Sequence, residues 1–71
     1  MGSHMRLSIQ TETESDGRWI AEIELHPGAI CYGATASGAV ARVNALALRI
    51  IADRIEHDEQ TSGLDSITFA A

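Results

Sequence analysis

Seventy-one residues, with ten acidic side chains against five arginines and no lysine, give a net charge of −5 and room for one small domain. The lone cysteine, Cys31, excludes an intrachain disulfide framework, and with His26 and His57 it offers no paired spacing for a structural zinc site. Arg6, Arg18, Arg42, Arg49 and Arg54 are dispersed and outnumbered, which argues against an independent nucleic-acid footprint.

Met1-Gly2-Ser3-His4 reads as an expression-tag remnant ahead of a start at Met5, so residues 5–71 are expected to form a single domain. No apolar run nears the ~18 residues that span a bilayer, and no charged-then-apolar leader opens the chain, so a soluble, cytoplasmic protein is expected. In so short a chain, burial at about 25 cal/mol per Å² roughly cancels an ordering cost of about 1.5 kcal/mol per residue. Added burial from self-association or a partner is therefore expected. The negative charge suits a basic partner through complementary fields, and it equally serves plain solubility.

Residues 6–14 alternate, with Leu7, Ile9, Thr11 and Thr13 on one side and Arg6, Ser8, Gln10, Glu12 and Glu14 on the other, as in a half-buried strand. Ser15-Asp16-Gly17 then predicts a hairpin turn, because Gly17 takes positive φ freely and Asp16 hydrogen-bonds its own backbone. The alternation resumes over residues 18–25, with Trp19, Ala21, Ile23 and Leu25 facing a core and Arg18, Ile20, Glu22 and Glu24 facing away. His26-Pro27-Gly28 breaks this strand; Pro27 has no ladder donor, and Gly28 stands where a tight turn often needs positive φ. A short third strand follows over 29–32, and Gly33-Ala34-Thr35 ends it with Thr35 as a helix N-cap. Gly38 stands where a capping box would place an acid, which predicts a weak first turn.

From Ala36 to about His57 the period is helical, with Ala39, Val40, Val43, Leu46, Ala47, Ile50 and Ile51 along one face. Ala41, Ala45, Leu48, Ala52 and Ile55 form a second apolar face. It fits a contact with another molecule, a candidate self-association face, or reflects only the helix propensity of alanine. Arg42, Arg49, Asp53 and Glu56 occupy the wedge between the faces, and Arg54 interrupts the core stripe with a stem that can snorkel along it. Residues 57–63 are a polar loop, and 64–69 alternate as a last strand. The order strand, strand, strand, helix, strand predicts an α+β domain with the helix on one face of a small, mostly antiparallel sheet.

The run Glu14-Ser15-Asp16-Gly17-Arg18-Trp19-Ile20-Ala21-Glu22-Ile23, followed by Pro27-Gly28, Tyr32-Gly33-Ala34-Thr35 and Ala39 at the head of the long helix, resembles the HicB-like antitoxin family of bacterial type II toxin-antitoxin systems. The resemblance covers nearly the whole chain from first strand to last. It implies a truncated ribonuclease-H-like fold, with Asp16, Gly17, Trp19, Pro27, Gly28, Gly33, Thr35 and Ala39 as structural motif positions. It also implies a function: binding and neutralising a small basic HicA-type toxin that cleaves messenger RNA with a catalytic histidine. Family members assemble as dimers or tetramers. Two motif details differ, since Glu24-Leu25-His26 stands where members carry a second proline and an acid, and Ser37-Gly38 where they carry two acids. Many members continue into a DNA-binding segment; the chain stops before one, so direct DNA binding by it is not expected. An orphan, self-assembling accessory domain without a toxin partner is the alternative.

No catalytic or cofactor-binding residue is expected. Glu12, Glu14, Glu22 and Glu24 share the outer face of the hairpin, where they could converge on a metal as in ribonuclease-H-like enzymes, form a solvated face, or face a basic toxin. The solvated or toxin-facing readings need no metal. Cys31 reads as a small hydrophobe in an apolar strand, His57 as a cap complementing the helix dipole, and His26 as a turn residue exposed or in contact with a partner.

Overall fold

The computed structural model describes residues 3–25, 28–57 and 64–70. Its elements are β1 (Ser3–Thr13), β2 (Trp19–Ile23), β3 (Ala29–Gly33), α1 (Ala36–Glu56) and β4 (Leu64–Ala70), in the expected order. They form an α+β unit with one mixed sheet, ordered β3-β2-β1-β4. The pairs β1–β2 and β2–β3 are antiparallel, whereas β4 lies parallel to β1. A parallel neighbour cannot follow from a tight turn. The chain meets this need by leaving β3 at one edge, running through α1 and entering β4 at the other.

The hairpin turn closes through three local bonds. The Gly17 amide donates to the Glu14 carbonyl at 3.0 Å, the Glu14 amide to the Arg18 carbonyl at 2.7 Å, and the Arg18 amide to the Asp16 carboxylate at 3.0 Å. Gly17 sits at φ 90°, the left-handed conformation expected of it. Arg18 thus closes the turn and lies outside β2, which starts one residue later than the sequence suggests. At the other end β2 stops at Ile23, so Glu24 and Leu25 also fall outside the ladder.

β1 begins at Ser3, three residues ahead of the expected Arg6. The cause is β4: His4 and Met5 pair with Ser66 and Ile67, and His4 Nδ1 hydrogen-bonds Ser66 Oγ at 2.6 Å. Two residues read as tag remnant therefore continue the sheet. Gly28 also departs from expectation. Its φ is outside the left-handed region, and a Cβ there would meet nothing nearer than the Leu25 carbonyl oxygen at 3.8 Å. His26 and Pro27, and residues 58–63 of the polar loop, lie outside the described residues.

The helix begins as predicted. Thr35 has extended backbone (φ −133°, ψ 163°), and its hydroxyl accepts from the Gly38 amide at 3.0 Å. No acid stands in the first turn. At the other end the His57 amide donates to the Asp53 carbonyl at 3.1 Å. His57 Nδ1 lies 2.8 Å from the same carbonyl oxygen, which can only accept, so this ring nitrogen carries the proton.

α1 lies over β2 and β3 and only reaches toward β1. The buried core is Leu7, Ile9, Ala21, Ile23, Ala29, Ala39, Val43, Ala47 and Ile51. Alanines at 21 and 29 on the sheet and at 39 and 47 on the helix let the two layers approach closely, so the core is thin and rests on Ile23, Val43 and Ile51 for volume. Thr11 and Thr13 are on the helix side by alternation yet stay exposed, and α1 packs mainly on β2 and β3 rather than on β1.

Candidate functional site

Among the described residues, no layer covers the sheet face opposite α1 or the solvent side of α1. On the sheet face the pairing register sets Glu12, Ile20 and Tyr32 in one row across β1, β2 and β3, and Gln10, Glu22 and Ile30 in the next. Of the expected acidic quartet, the strands bring Glu12 and Glu22 together as exposed diagonal neighbours. Glu14 is half-buried in the turn, and Glu24 is exposed just beyond β2. Among the described residues neither Glu12 nor Glu22 forms an ion pair; Arg18, one residue ahead of β2, is bound to Asp16, Nε to Oδ2 at 2.8 Å.

The apolar residues on this face were the part that sequence reasoning missed. Ile20 was placed facing away from the core, but Ile30 and Tyr32 received no face. They are 50% and 41% exposed. Strict alternation from a core-facing Ala29 would have turned both outward beside Ile20. The Arg18 guanidinium lies over the Tyr32 ring, 4.7 Å from its centroid, in a cation–π contact. Asp16 secures Arg18 through both its amide and its Nε, so turn, cation and aromatic ring form one connected train. The Arg18 backbone N–H is the largest influence holding the Asp16 carboxyl below its ordinary 3.8; desolvation opposes it, and the hydrogen bond and charge of the Arg18 guanidinium add to the lowering.

On α1, Ala41, Ala45, Leu48, Ala52 and Ile55 are all exposed, as the two-faced helix pattern requires, with Leu48 at 45% and Ile55 at 50%. The motif positions serve the frame. Trp19 and Gly33 are paired across β2 and β3, and Ala39 is fully buried. A Cβ on Gly33 would come within 2.6 Å of the Ala39 amide nitrogen, so the glycine allows the helix start to sit against β3. Gly38 carries a similar constraint, since a Cβ there would lie 3.1 Å from the Thr35 hydroxyl that caps the helix.

Cys31 is half-buried on the core side of β3, opposite Ala21. Among the described residues no three His, Cys, Asp or Glu side chains gather as a metal ion would require, and no helix is long and apolar enough to cross a membrane. No family model matches the sequence, and neither does any curated protein or solved structure.

Proposed function

We propose that the chain is a HicB-like antitoxin, a non-catalytic binding module that neutralises a small basic HicA-type toxin ribonuclease in the bacterial cytoplasm. The observation that carries this reading is the pair of carboxylates, Glu12 and Glu22, exposed and without an ion pair among the described residues, on the sheet face that α1 leaves open in a chain of net charge −5. Complementary charge of this kind raises encounter rates with a cationic partner and rejects wrong ones. The motif from Glu14 to Ile23, the Gly33-to-Thr35 helix entry and the strand, strand, strand, helix, strand order support a truncated ribonuclease-H-like member of that family.

Co-expression is the direct test. The chain should restore growth to cells expressing the HicA-type toxin encoded beside its gene, and continued growth arrest at comparable expression would count against the proposal.

The exposed Leu48 and Ile55 favour a second contact, self-association through α1 into a homodimer or homotetramer. Light scattering should report a mass above that of one chain, and Leu48→Glu should reduce it to the monomer. A wild-type chain that assembles but does not rescue growth would instead support an accessory domain with no toxin partner.

A further inference from the structure

The outward face of an antiparallel sheet that borders water is normally polar. Here Ile20, Tyr32 and Ile30 form an L on that face, because Ile20 and Tyr32 are directly paired, which brings Cβ atoms within about 5 Å, and Tyr32 and Ile30 are two residues apart on one side of β3. Glu22 fills the inner corner of the L and Glu12 flanks its arm. Glu22 also borders two shallow depressions, one running toward Gln10 and Glu12 and the other toward Leu25 and Gly28.

Tyr32 is prepared as an anchor. Its ring is backed by Arg18, which Asp16 fixes from two sides, so seating a partner against it immobilises little that is not already held. An aromatic and aliphatic centre with charged groups at its rim is the arrangement in which a few residues carry most of the binding energy.

We infer that this sheet face, and not the outer face of α1, seats the toxin: Ile20, Ile30 and Tyr32 take an apolar centre on a cationic protein surface, and Glu12 and Glu22 take arginine or lysine side chains around it. The inference rests on the antitoxin reading and adds the surface and the chemistry it selects. A second copy of the chain is the poorer occupant. A two-fold contact would gather four carboxylates, Glu12 and Glu22 from each copy, in one interface where Arg18 is already bound to Asp16, and like charges brought together are repulsive. The same carboxylates repel a phosphate backbone.

The test uses the full chain and a catalytically inactive form of the HicA-type toxin encoded beside its gene, with association and dissociation rates measured at two salt concentrations. Ile30→Ala and Tyr32→Ala should each raise Kd at least about tenfold, mainly through faster dissociation. The double variant Glu12→Gln, Glu22→Gln should slow association and flatten its salt dependence. Arg49→Gln, at an exposed position on α1 outside both faces, should bind as the wild type does. Glu22→Arg, at an exposed position the core does not need, covers the case in which a truncation unfolds the domain; it should weaken binding about a hundredfold or more with an unchanged circular dichroism spectrum. Wild-type binding that none of the sheet-face variants alters would overturn this surface and leave the antitoxin reading standing. A wild-type chain that does not bind the toxin overturns that reading and the toxin-docking surface together. A fall in oligomer mass on Ile30→Ala would assign the face to self-contact and overturn the inference.

Discussion

A Cβ on Gly33 would lie 2.6 Å from the Ala39 amide nitrogen and 3.0 Å from both the Ala39 Cα and the Gly38 carbonyl carbon, all of them backbone atoms that cannot turn aside. Gly33→Ala should therefore push the helix start off β3 and cost about 1–3 kcal/mol, the usual penalty for overpacking. Urea unfolding checks this, and an unchanged midpoint would contradict the close approach. At Asp16 the argument runs through pH. Its carboxyl is held below 3.8, so the turn's contribution is fully present above that value and is lost as pH falls through the lower folded value. A carboxyl titration followed by nuclear magnetic resonance should give a midpoint below 3.8, and Asp16→Asn should be less stable than wild type at neutral pH, with the gap narrowing in acid. A midpoint at or above 3.8 would remove the claim. These two positions were legible in different degrees. The Asp16-Gly17 pair announces its turn through local chemistry alone, whereas the reason for Gly33 lies in a helix atom several residues away. Gly28 shows the converse, since a proline-glycine pair suggested a positive φ that the backbone does not adopt.

α1 was the most legible element, because a 3.6-residue period over 21 residues leaves little choice of face. Its start depends on a single side-chain cap: the Thr35 hydroxyl meets the Gly38 amide, and no first-turn acid assists it. Thr35→Ala should cost about 1 kcal/mol. Thermal unfolding measures the loss, and hydrogen exchange should show faster opening at residues 36–39 than at the helix centre; equal protection across the helix would contradict the cap's role. The strands were legible one at a time but not as a sheet. Alternation states which residues share a side of a strand and is silent about which strand lies next to it. The parallel pairing of β4 with β1, and with it the extension of β1 to Ser3, follows from a neighbour recruited across the whole chain. For the same reason Ile30 and Tyr32 stayed unplaced in a five-residue strand until the Ile23–Ala29 pairing fixed its side.

At the scale of the molecule, the radius of gyration is 13.2 Å, above the about 11 Å of a compact chain of this length, and the extents are 45 × 20 × 15 Å. One helix over β2 and β3 cannot close both sides of a four-stranded sheet, and an alanine-rich core brings the layers close without adding much buried area. The shortage expected from chain length thus takes two forms: an apolar outer helix face and an apolar L with acidic flanks on the open side of the sheet. Acidic positions were visible in the sequence, but their apolar centre required the register. The central claim is the proposed one, that the acidic-flanked sheet face holds and silences a basic ribonuclease, and messenger RNA cleavage by a purified HicA-type toxin, which that reading expects beside the gene, tests it most directly. Cleavage should stop once the chain is present in equal amount to the toxin, and should return as salt weakens the charged rim. Cleavage that continues undiminished with the chain in large excess would contradict the account.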